Sequence, residues 1–400
     1  MPKKHPKPKY ERAHELSQKY GDYPALTDIF PLRGAGFSTG RDGFSLDFDA
    51  KTLLVRLEVF KLSKLKASEA AKRLGLMRPG KWNAEAAREA LIKQADVSAV
   101  IKSCQYRPFD HRRIAFDAAL VDRLEETTLK HLTVPGNRAL VVSPAPKREA
   151  FRHSWVVGSP PDARFLSDGA AEKTLVIPLY RKTNYGKLSM GEMRNYDYDF
   201  LRELVLTMGL KCRYPDGMPK GFTPEDLFHY VYAVLSAPSY RLQYDVELRK
   251  GVPRIPLTSS MPLFKELISL GEKLTHLHLL ESEELNAPRC ALRGSGNNAV
   301  ETCVYKNNEL KINAAQSFAP VGEAVWQFQV GSRLVLQSWL KNRIGRTLPP
   351  RDVEQYLRII ESVERTFEVQ RFIDLTVEKH GGWPLKREAI KQPARPWTGA

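Results

Sequence analysis

The sequence predicts an α+β protein, with a helical N-terminal part, a mixed-strand core and C-terminal helices that brace this core. Three observations predict this class. Apolar residues before residue 100 recur at helical spacing, short apolar runs between Gly and Pro turns follow up to about residue 195, and helical patterns return after residue 223. The 400 residues are 42% hydrophobic and 27% charged, which is typical of a globular protein of two or three domains.

The first 104 residues are predicted to hold a basic arm, a glycine-rich loop and helices. Residues 1–22 contain several lysines without an apolar core, so we expect a disordered basic arm. Residues 23–104 are predicted to form a loop and helical spacer, in which the glycines between residues 34 and 43 permit turns. Asn83 is predicted to cap a helix over Ala84–Ala99.

Residues 105–345 are predicted to form a strand-rich domain with inserted helices. Short apolar or alternating runs between turns predict the strands, which are Ala139–Val142, Trp155–Val157, Leu175–Tyr180, Arg289–Leu292, Val300–Tyr305, Glu309–Ile312 and Trp326–Val330. The dipeptide Asn307-Asn308 is typical of a hairpin turn. The polar residues from Arg181 to Lys187 predict a loop after an apolar strand.

Local sequence signals place the helices after residue 220. Thr223 is a good N-cap, and Pro224 and Asp226 suit the first turn, so a helix should begin here. Further helices are predicted over Ser239–Lys250 and Pro262–Leu274. The C-terminal segment, residues 346–400, is predicted to hold a long helix from Asp352 to about Glu378 and a loose, Pro-rich tail.

The charge balance points to a polyanionic partner. The chain has 62 Lys and Arg against 46 Asp and Glu, a formal net charge of +16. Neutralising nucleic-acid phosphates releases condensed counterions, so this excess favours nucleic acid over a basic protein without such a partner. The four cysteines form no CxxC pair and no apolar run reaches a membrane span, so we expect a reduced, cytoplasmic protein without membrane contact.

Motifs for catalysis are missing from the sequence. It contains no Asn/Asp-Pro-Pro-Tyr tetrapeptide of amino-methyltransferases and no Gly-x-x-x-x-Gly-Lys-Ser/Thr phosphate loop. Glu309-Leu310-Lys311 is a local fragment of a metal-nuclease pattern without an evident acidic partner. We therefore expect no cofactor and no metal site, and we leave open whether the chain is an enzyme.

Four groups of segments, in order along the chain, are similar to type ISP single-polypeptide restriction-modification enzymes. These are Thr27–Pro31 with Gly36–Asp42, Tyr106–Ile114, Pro224–Leu235 with Pro238–Arg241 and Pro253–Pro256, and Phe328–Gly331 with Trp339–Arg346. The chain resembles the C-terminal target-recognition region of that family. The resemblance implies sequence-specific recognition of double-stranded DNA by residues 105–345, in a restriction-modification or phage-defence system. It also implies methyltransferase, helicase and nuclease domains or subunits as partners.

Several side chains are candidates for phosphate contact. The resemblance implies that the glycine-rich loop faces DNA, where Thr39, Gly40 and Arg41 could bind a phosphate, although a simple turn is the alternative. Arg112 and Arg113 should lie on opposite faces of a strand, so that one of them reaches a phosphate. Further candidates, for phosphate contact or for salt bridges, are Arg241 and Arg254. By contrast, Arg107 is expected to form a structural pair with Asp110 or Asp117.

Three polar loops are candidates for reading bases, with an ordinary surface loop as the alternative for each. Arginine can bind guanine and asparagine can bind adenine through two hydrogen bonds. The candidates in the first loop are Arg181, Lys182, Asn184, Tyr185 and Lys187. The candidates in the second loop are Arg293, Asn297 and Asn298, and the candidate in the third is Lys306.

Two other classes of function stay open from the sequence. One is a divergent DNA-processing enzyme, such as a nuclease or a methyltransferase fragment. The other is an interaction or regulatory protein of a restriction system that no longer binds DNA.

Overall fold

The computed structural model describes residues 17–78, 82–144, 150–167, 174–184, 190–212 and 217–385. Residues 17–21 are helical, and the helices that follow are α1 (Leu26–Ile29), α2 (Asp42–Ser45), α3 (Ala50–Leu62), α4 (Ala67–Arg73), α5 (Ala84–Lys93), α6 (Glu126–Leu129), α7 (Tyr198–Thr207), α8 (Pro224–Ser236), α9 (Pro238–Gln243), α10 (Asp245–Leu248), α11 (Met261–His278), α12 (Glu323–Trp326), α13 (Val335–Lys341) and α14 (Pro350–Lys379). The mixture of these helices with several small sheets confirms the α+β class.

The described strands are short, with at most seven residues each. They are β1 (Gly34–Ala35), β2 (Leu46–Asp47), β3 (Ile101–Arg107), β4 (Asp110–Ala115), β5 (Ala139–Val142), β6 (Ser154–Val157), β7 (Leu175–Pro178), β8 (Tyr180–Asn184), β9 (Met190–Arg194), β10 (Ala291–Arg293), β11 (Val304–Lys306), β12 (Glu309–Lys311), β13 (Ser317–Ala319), β14 (Gln329–Val330) and β15 (Arg333–Leu334). Their sheet orders are β1-β7-β5-β6, β10-β13-β12-β11, β2-β4-β3, β8-β9 and β14-β15.

The described residues divide into two compact units, each discontinuous in sequence. The smaller unit lies within residues 1–31, 196–275 and 367–400, and the larger unit within 32–195 and 276–366. These units are defined by their compactness. The functional segments 1–22, 23–104, 105–345 and 346–400 stay a prediction.

The smaller unit is built from helices that pack closely. Helix α8 begins with a capping box, in which the Thr223 hydroxyl accepts from Asp226 N and the Asp226 carboxylate accepts from Thr223 N. The predicted helix start at this site is therefore confirmed. A Cβ atom added at Gly271 of α11 would lie 1.9 Å from the carbonyl oxygen of His229, so only glycine allows α8 and α11 to approach this closely.

The larger unit contains the sheets and an aromatic core. Trp155 of β6 stacks on His278 with ring centres 3.8 Å apart, and Phe109 meets Trp155 edge-on at 5.2 Å. Trp339 of α13 packs on Tyr356 of α14 at 4.8 Å. These rings are buried, and their burial fixes α13 and α14 against the sheets.

Some predicted elements are wrong in extent or type. The strand predicted over Trp326–Val330 is only β14, because Trp326 ends helix α12 and stacks on Tyr305 at 5.3 Å. The helix predicted over Ser239–Lys250 is interrupted at Tyr244 and forms α9 and α10. Tertiary contacts, which sequence periodicity does not report, decide these cases.

Two further corrections concern segment ends. The helix capped by Asn83 ends at Lys93 and not at Ala99, because Asp96 starts a new turn by accepting a hydrogen bond from Ser98 N at 2.8 Å. The predicted loop from Arg181 begins as strand β8, which pairs with β9.

Candidate nucleic-acid interface

A buried carboxylate at the start of β4 holds Arg112 together with two residues that follow helix α13. Asp110 is fully buried and accepts hydrogen bonds from Arg112 at 2.8 Å, Arg343 at 3.2 Å and Asn342 at 3.3 Å. Burial lowers the pKa of the Arg343 guanidinium, and the charge of Asp110 opposes this shift. Arg112 is thus held as a structural ion pair, whereas Arg113 is exposed and donates to the Ser103 hydroxyl.

Phe48 gathers three arginines at one edge of this cluster. The guanidinium carbons of Arg112, Arg343 and Arg346 lie 4.3, 4.7 and 4.5 Å from the ring centre of Phe48. Arg346 is exposed, while Arg343 is buried. Because the aromatic face favours a flat guanidinium, this arrangement holds Arg346 at the surface in a fixed orientation.

Arg107 pairs with Asp162, and the predicted partners Asp110 and Asp117 are wrong. Its Nη1 lies 2.8 Å from the Asp162 carboxylate, and both residues are buried. Burial raises the pKa of Asp162, and Arg107 opposes that shift. The structural role predicted for Arg107 is therefore correct, although its partner lies 55 positions away.

The glycine-rich loop is folded inward. Thr39 is buried and donates to the Asp42 carboxylate, and buried Arg41 forms an ion pair with Asp122. Arg41 also donates to the carbonyl oxygen of Leu76 at 2.7 Å. Gly40 has a φ of 60°, and a Cβ atom there would collide with the Asp122 carboxylate. Of the two alternatives that the sequence leaves open, this geometry favours the structural turn over phosphate contact.

We expect Arg41→Leu to lower the free energy of unfolding by about 2–3 kcal/mol, because it removes the partner of Asp122 and a bond to the backbone. The salt dependence of any DNA binding should stay the same, since a buried arginine neutralises no phosphate. Denaturant unfolding and binding in increasing salt measure the two effects. Arg123→Leu, at an exposed position of the same loop region, is the control. A lower salt dependence with unchanged stability would show that Arg41 contacts DNA.

Arg241 and Arg254 also serve the fold of the smaller unit. Arg241 donates to the carbonyl oxygen of Leu235 at 2.6 Å, and Arg254 donates to that of Tyr23 at 2.6 Å. Both are partly exposed. The sequence left salt bridges and phosphate contact open, and these bonds to carbonyl oxygens are a third arrangement. Each bond uses one of the five N–H donors of a guanidinium, so phosphate contact by Arg241 or Arg254 stays a prediction.

The first predicted base-reading loop coincides with the β8–β9 hairpin. Arg181 pairs in register with Met193, and Lys182 and Asn184 follow on the same strand. Tyr185 and Lys187 fall outside the described residues. The base-reading role of these five residues stays a prediction.

The second loop, residues 294–298, is held by a buried amide network. Gln316 accepts a hydrogen bond from Asn298 N at 2.9 Å and donates to the Asn298 side-chain oxygen at 2.8 Å. The Asn298 amide is thus committed to the fold. Asn297 is exposed, and its side-chain oxygen accepts from Ala299 N at 3.0 Å. Of the two asparagines, Asn297 is the one available to a ligand.

The four-stranded sheet next to this loop brings the remaining candidates together. In register, Arg293 faces Ser317, Ser317 faces Lys311, and Lys311 faces Val304, so these side chains share one face. Lys306 lies two residues after Val304 on β11, on the same face of the sheet, and pairs in register with Glu309. Leu310 and Phe318 fill the opposite face and are buried. The outer face of this sheet, termed the cationic sheet face, therefore presents Arg293, Lys311 and Lys306.

Lys311 is not among the DNA-binding candidates predicted from the sequence, although the alternation of polar and apolar residues around it indicates that it faces outward. Glu309-Leu310-Lys311 alternates in the way of a strand with one buried face, so Lys311 had to face outward beside any basic residue on the paired strands. The only opposing charge in the described part of this face is Glu309, whose carboxylate lies 4.0 Å from Arg293.

The described residues hold few groups suited to other chemistry. Their histidines, cysteines and acids form no group of three or more that could hold a metal ion. Burial raises the pKa of Cys290 to about 12 and that of Cys303 to about 11, so neither thiol ionises at neutral pH. In the same part of the chain, none of the helices is long and apolar enough to cross a bilayer.

The chain matches a known protein family over most of its length. The family model described as the Type ISP C-terminal specificity domain matches residues 28–371. The chain belongs to this family. The match includes all four sequence segments on which the resemblance rested, apart from Thr27. No curated protein sequence shows a significant match.

Solved structures share the fold of this type ISP specificity domain. A DrdV–DNA complex determined by cryoEM is 20% identical, with a TM-score of 0.65 over 90% of this chain and 38% of that chain. A nuclease-deletion mutant of the type ISP enzyme LlaGI, in complex with a DNA substrate mimic, is 17% identical, with a TM-score of 0.63 over 89% and 34%. The ATP-dependent type ISP enzyme LlaBIII, bound to DNA, is 17% identical, with a TM-score of 0.62 over 88% and 24%. The chain thus spans between 24% and 38% of these proteins.

Proposed function

We propose that this specificity domain binds duplex DNA and recognises the target sequence of a type ISP restriction-modification system. The observation that carries the proposal is the family match over residues 28–371. The net charge of +16 and the cationic sheet face support it, because phosphate contacts supply most of the affinity of DNA-binding proteins. The three solved proteins described above, which share this fold, are complexes with DNA or with a DNA substrate mimic.

Within this proposal the contacts fall into two kinds. Phosphate contacts come from five exposed residues, Arg293, Lys306, Lys311, Arg113 and Arg346. For Arg293 and Lys306 this role replaces the base-reading role that the sequence indicates, because both lie beside Lys311 on the cationic sheet face. Phosphate contacts set the position of the domain on the duplex but carry no sequence information. Base contacts come from side chains that reach a groove, for which Arg181 and Asn297 are candidates.

The catalytic steps of restriction and modification would belong to other domains or subunits. The chain spans 24–38% of the three solved proteins described above, and its sequence lacks methyltransferase and motor motifs. Such parts, working on cellular DNA, would place the domain in the cytoplasm.

We expect the purified chain to bind duplex DNA with an affinity that falls steeply with salt, with a log–log slope of about −0.9 for each phosphate neutralised. The double variant Arg293→Gln, Lys311→Gln should make this slope shallower by about 1–2, because it removes up to two phosphate contacts. Fluorescence anisotropy at several salt concentrations measures the slope.

Arg73→Gln, at an exposed position on α4, is the matched control and should keep the wild-type slope. A flat salt profile of the wild-type chain would contradict the proposed function. An equal slope for the double variant and the control would remove the cationic sheet face from the interface.

A further inference from the structure

The larger unit carries a polar groove that none of the sequence candidates line. It consists of two adjoining concavities of about 340 and 260 Å³, which share Gln329 and Ser332. Helix α13 contributes Gln337, Ser338 and Lys341 to the first, and Arg152 lines the second. We refer to this feature as the polar groove.

The floor of the groove is fixed by a tight hairpin. Strands β14 and β15 pair through Val330 and Arg333, with Gly331 and Ser332 as the turn. Gly331 N donates to the carbonyl oxygen of Arg152 at 2.8 Å, and Ser332 N donates to that of Leu166 at 3.1 Å. Buried Arg333 adds bonds of 2.8 and 2.9 Å to the carbonyl oxygens of Arg164 and Ser167. The hairpin is therefore fastened to the segment 152–167.

The wall of the groove is equally fixed. Helix α13 buries Val335, Leu336, Trp339 and Leu340, so the groove residues 337, 338 and 341 lie on its opposite face. Beyond its last turn, the guanidinium carbon of Arg343 lies 3.4 Å from the ring centre of Trp339, and the guanidinium forms an ion pair with Asp110. Side chains carried on an element held in this way need little reorganisation to bind a ligand.

The lining of the groove is rich in hydrogen-bond donors and contains no acid among the described residues. Arg152 donates to the side-chain oxygen of Gln329, and Lys341 donates to that of Gln337 at 3.0 Å. The side-chain oxygen of each glutamine therefore accepts a hydrogen bond from one cation. In the described part of the chain, the Nε2 groups of both glutamines lie without a protein acceptor. A ligand would therefore meet two amide donors beside two positive charges.

Guanine fits this arrangement better than the other bases. Its major-groove edge presents two acceptors, N7 and O6, whereas the edge of adenine presents an acceptor and a donor, that of cytosine a donor, and that of thymine a single acceptor beside a methyl group. A pocket for a small molecule would be mostly apolar, but here Leu334 and Ala150 are the only aliphatic lining residues described. On the basis of the proposed function, we propose that the Gln329 and Gln337 side-chain amides donate hydrogen bonds to guanine in the major groove of the target. Arg152 and Lys341 orient the two amides.

The test compares Gln329→Leu and Gln337→Leu with Gln327→Leu in the full chain. Leucine keeps much of the side-chain size and removes the amide. Gln327 is exposed, lies two residues from Gln329 and does not line the groove, so it is a matched control. The duplexes that each protein prefers are selected from a randomised library. Binding is then measured by anisotropy on the selected duplex and on copies with 7-deazaguanine, which lacks the N7 acceptor, at each guanine in turn.

Wild type and Gln327→Leu should select the same guanine-containing sequence and lose about tenfold to hundredfold in affinity when one guanine is replaced. The variant that loses the donor to N7 should become indifferent to 7-deazaguanine at that guanine, and the variant that loses the donor to O6 should select guanine less strongly at the same position. Both should show little change in affinity for random duplex. Thermal unfolding of each variant verifies that the fold is kept.

Three results would overturn the inference. If both groove variants keep the selectivity of Gln327→Leu, the groove does not read bases, although the proposed function survives. If they weaken all duplexes equally with a shallower salt slope, the groove contacts phosphates only. If the wild-type chain binds no duplex, the proposed function fails and the inference fails with it.

Discussion

Replacing Asp110 with alanine is expected to lower the free energy of unfolding by about 3–5 kcal/mol, the cost of leaving a buried partner charge uncompensated. Asp110 is fully buried and is the nearest carboxylate to Arg343, at 3.2 Å. Without it, buried Arg343 would keep its hydrogen bond to the carbonyl oxygen of Trp339 at 3.0 Å, but among the described residues its nearest paired carboxylate would be that of Asp352, at 3.9 Å. Arg112 would lose its partner as well. Denaturant unfolding, monitored by tryptophan fluorescence, measures the change.

Glu354→Ala removes a negative charge from an exposed position on α14 and is the control, with an expected change within about 0.5 kcal/mol. The effect of Asp110→Ala should also reach the polar groove, because Asp110 holds the end of α13 through Arg343 and Asn342. Near-equal stabilities of Asp110→Ala and Glu354→Ala would show that the hydrogen bonds of Asp110 to Arg112, Asn342 and Arg343 do not stabilise the fold.

Signals that lie within a few residues of each other were predicted well from sequence. The capping box at Thr223 and the turn at Asn307-Asn308 depend only on neighbouring residues, and both asparagines adopt the positive φ that such a turn requires, 52° and 59°. The opposite facing of Arg112 and Arg113 follows in the same way from the two-residue repeat of a strand.

Features that depend on distant partners were not predictable in this way. The side chain that pairs with Arg41 is 81 positions away, so its burial could not be read from the loop sequence. The polar groove joins Arg152 to residues 329–342, and no local pattern links these segments. Candidate residues chosen for their type and loop position were therefore a mixture of exposed side chains, such as Arg293, and structural ones, such as Asn298.

Gly331→Ala is expected to lower the free energy of unfolding by about 2–4 kcal/mol, from a strained backbone and overpacking together. The backbone at Gly331 has a φ of 59°, and an added Cβ atom would lie 1.8 Å from the carbonyl oxygen of Leu166. This carbonyl accepts the hydrogen bond of Ser332 N, so relieving the clash would pull the hairpin away from its support. Thermal or denaturant unfolding measures the cost.

Gly345→Ala separates the two causes, because Gly345 also has a positive φ, 81°, but no atom within 4 Å of an added Cβ. This control should lose only the backbone contribution, about 1 kcal/mol. The difference between the variants then reports the close approach of the hairpin to Leu166. If that approach positions Gln329, Gly331→Ala should also relax the guanine preference that Gly345→Ala keeps. Equal losses of stability and equal selectivity in the two variants would contradict the docked hairpin on which the polar groove depends.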